Sequence, residues 1–545
     1  MTPKRASGLL LHITSLPSKY GIGDLGPQAF KFADFLAQAK QKFWQMLPLN
    51  PLTLRQNPYS PYNCISAFAG NTLLISPDLL YQQGFLLKEE LQDCPRFAKS
   101  KVEYPKVVSY KTTLLNAAYQ RFKVSKKQND YKRFCIENAT WLDDFALFVA
   151  LRRHFGRVLW CDWPAKLRDR HKDTIKTARN NFAEAIGREK FLQYLFFKQL
   201  VSLKSYCKQL GIKLIGDIPI YVAYDSADVW SNPEIFKLTP AKKPRFIAGV
   251  PPDYFSKTGQ LWSNPVYDWT ALKNTRYRWW LERIGHNLKL FDIVRIDHFR
   301  GFFAYWQAPA GSKTAASGKW VKCPYDNFFN TLFKRFAPQA IIAEDLGLIT
   351  PDVKTFIEKH HLTGMRVLQF GFDGNLAKNP HFPANHIKNT IVYTGTHDNN
   401  TAVGWFAKDA TAAQKKILFA CLGEAQRRRA CLGRKVSTHQ INWELIKLAL
   451  SSVANLAIIP VQDVLGLGES ARMNRPATIK GNWQWRLHSR SDLSSVAKAK
   501  GEAKTSAKSK TKTGLPRRSA AKTGGQLTPQ ISKKIAKLSA ACRRT

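Results

Sequence analysis

The sequence predicts a (β/α)8 TIM barrel, an α/β fold, elaborated by inserted, mainly helical subdomains. Three observations support this prediction. Short apolar segments recur along the chain, helical patterns lie between them, and acidic residues stand where several of the segments end. Regular alternation of strand and helix indicates parallel strands with helices packed outside them, and eight such strands close a barrel.

Eight apolar segments end in clusters of Gly, Pro, His or acidic residues, which is typical of buried strands that run into loops. In chain order they are GLLLHI (8–13), FWQMLPL (43–49), IKLIGDIP (212–219), FDIVRID (291–297), AIIAED (340–345), GMRVLQF (364–370), NTIVYTG (389–395) and NLAIIPVQD (455–463). Each is therefore predicted to be one strand of the barrel.

A long stretch of about 160 residues separates the second and third segments, and it carries helical patterns. We therefore expect a subdomain inserted at about 63–205 within a catalytic barrel that spans 1–487. Barrels with insertions exceed ~400 residues, so one elaborated domain accounts for most of the 545 residues.

The composition favours a folded globular protein, since 44% of the residues are hydrophobic and 12% are aromatic. The apolar stretches fall short of the ~20 residues of a membrane span and of a secretory signal, so we expect a cytoplasmic protein without membrane contact. Nine scattered cysteines form no C-x-x-C pair and no zinc-ligand spacing, which predicts reduced thiols and no metal site.

A net charge of +45 would suit binding to nucleic acid or another polyanion. Residues 488–525 hold ten Lys or Arg against two acids and almost no large apolar side chains, so we predict a disordered, basic low-complexity insertion. The rest of the chain keeps most of the excess charge. A polyanion site in 488–525 therefore stays an open alternative to a general basic bias.

Four of the eight predicted strands present an acid at or near the carboxyl end: Asp217, Asp297, Glu344 and Asp398. The chemistry of such barrels takes place at the carboxyl ends of the strands. One acid in this position is typically a cap or an ion-pair partner. Four that converge on one rim predict an active site.

The neighbours of these acids indicate cleavage of a glycosidic bond, which needs one ionised and one protonated carboxyl group. Arg295 shares a strand face with Asp297 and would keep it ionised, as a nucleophile requires. Burial after an apolar run would raise the pKa of Glu344 and suit it for proton transfer. Asp398 and His397 could bind sugar hydroxyls. Taken alone, Arg295 with Asp297 could be a structural ion pair, and His397 a loop histidine.

Three motifs resemble the catalytic segments of glycoside hydrolase family 77, the 4-α-glucanotransferases called amylomaltases or disproportionating enzymes. They are RIDHFRG (295–301), IIAEDLG (341–347) and YTGTHDN (393–399). Further matching segments include SPY (60–62), GDIPIYVAYDSADVW (216–230), GVPPDYFSKTGQLWSNPVYDW (249–269), QDVLGLGESARMNRP (462–476) and GNWQWR (481–486). The resemblance runs from about Ser7 to Leu487.

The resemblance implies retaining transfer between malto-oligosaccharides or other α-1,4-glucans, without a metal or an organic cofactor. It implies that Asp297 forms the covalent glucosyl intermediate, that Glu344 is the acid and base, and that Asp398 stabilises the transition state. It also implies two sets of binding residues: glucan contacts by Tyr62, Trp262, Phe370 and Asn474, and sugar binding near the cleavage point by Asp217, Arg295 and His397. Trp262, between polar neighbours, is the best candidate for an exposed stacking platform.

The chain departs from the family pattern at Ala477, where glycine is usual, which predicts a differently shaped loop. Residues 488–525 look like an insertion, and 526–545 resemble the terminal helix of the family, predicted to pack back on the barrel. Two other functions are alternatives. An α-amylase-like hydrolase shares the first chemical step, whereas a glucan- or nucleic-acid-binding protein with a decayed barrel would have lost its carboxylates, and all three are present.

Overall fold

The computed structural model describes residues 5–53, 59–125, 128–252, 257–422, 440–487 and 526–544. The strands in these ranges belong to two sheets. In chain order they are β1 (Ala6–Leu10), β2 (Phe43–Gln45), β3 (Lys213–Ile218), β4 (Phe246–Val250), β5 (Gln260–Pro265), β6 (Ile293–Ile296), β7 (Ala304–Pro309), β8 (Lys319–Lys322), β9 (Ile341–Ala343), β10 (Gly364–Val367), β11 (Thr390–Tyr393) and β12 (Leu456–Pro460).

Eight of these strands form a parallel sheet in the order β10-β11-β12-β1-β2-β3-β6-β9. The sheet closes on itself where Ile342 of β9 bridges Thr363, and the Ala343 N–H donates to the Thr363 carbonyl at 2.9 Å. The predicted barrel is thereby confirmed, and each of the eight apolar segments overlaps one barrel strand. Parallel strands covered on both faces need such continuous apolar sequences.

A second sheet of four antiparallel strands, in the order β5-β4-β7-β8, is built from the segments that follow β3 and β6. This sheet was not predicted from the sequence. Its strands are partly exposed, so they lack the continuous apolar pattern of the barrel strands. The sheet places β5 beside the rim of the barrel.

Helices surround the barrel, and the region between β2 and β3 is mainly helical, as predicted. The helices of the described ranges are α1 (Pro27–Gln38), α2 (Pro77–Gln82), α3 (Lys88–Gln92), α4 (Tyr104–Lys123), α5 (Asn129–Glu137), α6 (Ala139–His154), α7 (Ala165–Arg168), α8 (Lys172–Asn181), α9 (Ala183–Gln209), α10 (Ala227–Ser231), α11 (Trp269–Asn274), α12 (Arg278–Leu290), α13 (Tyr325–Phe333), α14 (Pro351–Lys359), α15 (Ala402–Gly404), α16 (Ala412–Cys421), α17 (Ile441–Ser451), α18 (Val461–Val464) and α19 (Pro529–Ala541). Within these ranges, each helix is too short or too polar to span a membrane.

The terminal helix α19 lies against α1 and α17. Beyond it, the buried Arg544 side chain donates to the carbonyls of Leu450 (2.6 Å), Ser452 (2.7 Å), Ala454 (2.7 Å) and Ala6 (3.0 Å). One guanidinium therefore joins the end of α17 to the start of β1. The basic segment 488–525, predicted to be disordered, lies outside the described residues, and the proposed division into barrel, insertion and terminal helix stays a prediction.

Candidate active site

The four acids singled out from the sequence lie at the carboxyl ends of barrel strands. Asp217 is in β3, Asp297 follows β6, Glu344 follows β9, and Asp398 lies in the loop after β11. The strand register sets the first three side by side, because Asp217 pairs with Arg295, and β6 in turn pairs with β9 up to Ala343. The parallel barrel thus brings residues from distant parts of the sequence to one rim.

Arg295 connects two of these acids. Its Nη1 donates to both carboxylate oxygens of Asp217 at 2.8 Å, and its Nη2 donates to Asp297 Oδ1 at 2.9 Å. The Tyr62 hydroxyl donates to Asp217 Oδ2 at 2.7 Å, so this oxygen accepts from both Tyr62 and Arg295. Burial raises the pKa of Asp217 while Arg295 opposes the rise. The guanidinium lies beside Asp297, as strand alternation predicts, and fixes the direction of that carboxylate.

Glu344 is buried, and both of its oxygens are held by backbone donors. Oε2 accepts from the His298 N–H at 2.7 Å, and Oε1 accepts from the Leu346 N–H at 2.9 Å. Burial raises the pKa of Glu344 to about 7, while Arg295 and the two N–H donors oppose the rise and Asp297 adds to it. Near neutral pH this side chain is therefore able both to give and to take a proton.

Asp398 sits in a more open setting, with 45% of its side chain exposed. Its Oδ1 accepts a 2.6 Å hydrogen bond from Asn474 Nδ2 and lies 3.3 Å from His397 Nε2. The buried His397 ring stacks on Tyr62, with ring centroids 5.0 Å apart. A loop residue and a stacked histidine therefore position Asp398.

The two remaining aromatic candidates differ in their placement. Trp262, on β5, is half-buried, and its ring packs against Tyr221 at 6.1 Å and edge-to-face against His298 at 5.0 Å. It is therefore less exposed than its polar neighbours suggested. Phe370 follows β10, is 42% exposed, and packs against His381 at 5.6 Å.

Several residues at the site were not singled out from the sequence. The Trp483 ring lies 5.8 Å from Tyr62 and 5.9 Å from His397. Arg472 Nη2 donates to the Asp398 carbonyl at 2.6 Å. His298 anchors Glu344 through its backbone. Trp483, Arg472 and His298 all belong to the motifs quoted above, so motif membership was the signal that could have identified them.

Ala477, the departure from the family pattern, lies in an exposed loop close to Asn474. Its φ of 61° is in the left-handed region, which glycine adopts without strain. Alanine therefore adopts a backbone conformation suited to glycine here, and the different shape of the loop stays a prediction. Among the described residues, no group of three or more His, Cys, Asp or Glu side chains is arranged to hold a metal ion.

A barrel that carries a fixed Asp297 and a separate, buried Glu344 on its rim belongs to the class of enzymes that act on glycosidic bonds with two carboxyl groups. The family model described as 4-alpha-glucanotransferase matches residues 11–492. The chain belongs to this family.

Individual relatives agree with this assignment. The 4-alpha-glucanotransferase of Synechocystis sp. is 46% identical over 496 residues, which cover 90% of this chain and 95% of the relative. That of Thermus thermophilus is 43% identical, with 89% and 95% covered. A solved structure, the amylomaltase from Streptococcus agalactiae in complex with acarbose, has a TM-score of 0.86 at 35% identity and covers 99% of this chain and 100% of its own.

Proposed function

We propose that this 4-α-glucanotransferase transfers a segment of an α-1,4-glucan to the 4-hydroxyl of an acceptor glucan or glucose, with retention and through a covalent intermediate. The observation that carries the proposal is the separation of two carboxyl environments. Asp297 is held by a guanidinium, whereas Glu344 is buried with a pKa raised to about 7 by that burial. The acarbose complex of the amylomaltase neighbour supports a malto-oligosaccharide substrate.

In the first step, a carboxylate oxygen of Asp297 attacks the anomeric carbon, and the bond from that carbon to the leaving sugar breaks. Glu344 gives its proton to the departing oxygen, so the leaving sugar is released as a neutral hydroxyl compound. Arg295 Nη2 donates a 2.9 Å hydrogen bond to Asp297 Oδ1 and so orients the attacking carboxylate. This step leaves a glucosyl ester on Asp297 and an ionised Glu344.

In the second step, ionised Glu344 takes the proton of the acceptor 4-hydroxyl, whose oxygen attacks the same carbon and releases Asp297. Two inversions give net retention. The same residue serves in both steps because, with a pKa of about 7, both its protonated and its ionised forms are populated near neutral pH.

The remaining residues bind the donor glucan. Asp217 and His397 are buried and would hold hydroxyls of the ring under attack, while Asp398 stabilises the positive charge that develops on it. Asn474 positions Asp398 through its 2.6 Å hydrogen bond. Tyr62 supplies an aromatic surface backed by its stack with His397. We also assign glucan contacts to Trp262 and Phe370.

Incubation with maltotriose tests transfer against its hydrolytic alternative. Transfer predicts glucose together with oligosaccharides longer than the substrate, whereas an α-amylase-like hydrolase gives glucose and maltose with nothing longer. The matched control is Asp297→Asn, which keeps the size of the side chain and should lose at least ~10²-fold of the turnover. Products limited to maltose and glucose would refute transfer, and near-normal activity of the variant would refute the assignment of Asp297.

Two sequence predictions stay predictions. The cytoplasmic location is one of them. Polyanion binding through 488–525 is the other, since this segment lies outside the described residues. A gel-shift assay of the full chain and of a chain lacking 488–525 checks the second prediction, which fails if both forms bind a polyanion equally weakly.

A further inference from the structure

Asp463 is a buried acid that has no part in the reaction steps described above. It lies in α18, directly after β12, and its carbonyl accepts from Asn442 Nδ2 of α17 at 2.7 Å. Among the described residues it forms no ion pair, whereas buried Asp217 is paired with Arg295. Burial raises the pKa of Asp463 to about 6, and the hydrogen bonds that its carboxyl group accepts oppose the rise. These hydrogen bonds therefore compensate the burial of this group.

The carboxyl group of Asp463 joins the two ends of the loop that carries Asp398. Its Oδ2 accepts from the Thr394 hydroxyl at 2.5 Å, and its Oδ1 accepts from the Ala402 N–H at 2.7 Å. Thr394 directly follows β11, and Ala402 is the first residue of α15. Asp398 is the middle residue of this loop, 394–402. One side chain thus fixes both ends of the loop relative to α18.

Loop 394–402 is incompletely packed against the barrel. A cavity of about 20 Å³, which has room for about one water molecule, lies between the loop and the ends of three barrel strands. The residues that line it include Thr396, His397 and Asn399 of the loop, and Leu11, Leu47 and Pro460 of the barrel. Atoms on opposite sides of a gap lose their dispersion contacts. Hydrogen bonds at the ends of the loop therefore contribute more to its position than packing does at this side.

Asp398 is more sensitive to the position of the loop than its neighbour His397. The His397 ring is buried and stacks on Tyr62, with centroids 5.0 Å apart. Asp398 is 45% exposed, and its side chain depends on the 2.6 Å hydrogen bond from Asn474. Its N–H donates to Thr396 Oγ1, within the same loop, at 3.3 Å. A shift of the loop toward the cavity would therefore move the Asp398 carboxylate.

We propose that Asp463 is a positioning residue of the transfer reaction, which holds the ends of loop 394–402 so that Asp398 meets the sugar ring under attack. This inference rests on the proposed function, in which Asp398 stabilises the charge that develops on that ring. Asp463 itself does not contact the sugar. Its loss should weaken stabilisation of the transition state more than binding of the substrate, because Asp398 acts on charge that the bound substrate does not yet carry.

Three substitutions separate the two contacts from the mere filling of space. In Asp463→Asn the amide oxygen can accept from the Ala402 N–H, and the amide nitrogen can donate to the Thr394 hydroxyl oxygen, so both contacts are kept. Asp463→Leu has a similar size and keeps neither contact. Thr394→Val has the same shape as threonine and removes one contact. The proposal therefore predicts that Asn replaces Asp463 and that Leu does not.

The kinetic test measures kcat and KM for maltotriose. In Asp463→Leu we expect kcat to fall about tenfold while KM changes by less than about twofold, which is the loss expected for a displaced stabilising group. Asp463→Asn should keep at least about a third of kcat, and Thr394→Val should lie between the two. Urea unfolding of each variant shows that it is folded under the assay conditions. If Asp463→Leu does not fold, Thr394→Val serves as the test variant.

A double-mutant cycle with Asp398→Asn distinguishes positioning from a general disturbance of the fold. Both backgrounds are assayed with α-maltosyl fluoride, an activated donor that keeps the slow Asp398→Asn variant measurable. If Asp463 acts through Asp398, Asp463→Leu should lower the rate about tenfold in the unaltered enzyme and less than about twofold in Asp398→Asn.

The same loss in both backgrounds, equal activity of Asp463→Asn and Asp463→Leu, or a loss confined to KM would overturn the proposal. These outcomes are distinct from failure of the proposed function, because that failure would show in the unaltered enzyme as the absence of products longer than maltotriose.

Discussion

The two sides of the active site are built in different ways. Asp217, Arg295 and Asp297 form a strand-held group, in which the guanidinium and the Asp217 carboxylate are almost fully buried and paired. Asp398 is 45% exposed, and its hydrogen bond comes from Asn474 in a distant loop. The barrel thus fixes the attacking side before substrate arrives, whereas the other side depends on how one loop is folded. Substitutions on the two sides should therefore differ in how strongly they affect stability and in how strongly they affect activity.

Removal of Arg295 should give the largest combined effect. In Arg295→Leu the buried Asp217 loses its ionic partner, which is expected to lower the free energy of unfolding by about 3 kcal/mol and turnover by at least ~10²-fold. Urea unfolding and maltotriose turnover measure the two effects. The double variant Arg295→Leu/Asp217→Asn is the control, and it should regain part of the stability but none of the activity. Full stability of the single variant would contradict the strand-held description.

Glu344→Gln should abolish proton transfer, with a loss of at least ~10²-fold in turnover, and should also change how stability depends on pH. The folded-state pKa of Glu344 is raised to about 7, above its unfolded value, so its ionisation favours the unfolded chain. As pH rises from 5 to 8, the unaltered protein should lose about 2 kcal/mol of stability relative to Glu344→Gln. Denaturant unfolding at the two pH values checks this. Parallel pH profiles would show that Glu344 is not buried as described.

Asn474→Ala should affect activity with little effect on stability. Asp398 loses its 2.6 Å hydrogen bond but stays in contact with water, so we expect kcat/KM to fall about tenfold and the free energy of unfolding to change by less than about 0.5 kcal/mol. The matched control is Lys480→Ala, an exposed position in the same loop that should change neither quantity. A loss of stability as large as that of Arg295→Leu would remove the distinction between the two sides.

Ala477→Gly should give the smallest effect, and one of opposite sign. Glycine relieves the left-handed backbone at φ 61°, and the greater freedom of the unfolded chain offsets part of this gain. We expect a net stabilisation of about 0.5 kcal/mol by denaturant unfolding. Ala413→Gly, in the exposed face of helix α16, should instead destabilise the protein. If both changes destabilise, the loop carries no strain at Ala477.

The barrel could be predicted because each of its strands has a recognisable apolar pattern in the local sequence. Ile341–Ala343 is buried throughout and leads directly into Glu344. The apolar run therefore predicts the strand, and the acid that follows it predicts the site residue. The antiparallel sheet gave no such signal, since Phe246–Val250 and Ala304–Pro309 are partly exposed and meet only in the folded chain.

The contacts of the site also divide into those that the local sequence predicts and those that it does not. Arg295 beside Asp297 follows from strand alternation alone. The contact between Asn474 and Asp398 joins residues 76 positions apart, and no local pattern encodes it. The burial of Trp262 depends on packing by Tyr221 and His298, so its polar sequence neighbours were a poor guide. Local sequence patterns thus predict the site residues that lie on strands, whereas contacts between distant segments determine the positions of the loop residues and the burial of Trp262.

The contact between Arg544 and the Ala6 carbonyl has a consequence for the connectivity of the chain. Residues 6 and 544 touch, although 538 positions separate them. A short linker between the two would preserve every contact described for α19, and the chain could then be opened between Leu487 and Gln526. Such a circular permutant would begin with α19 and continue through the linker into β1. The terminal helix would then precede the first barrel strand in the sequence and keep its position in the folded protein.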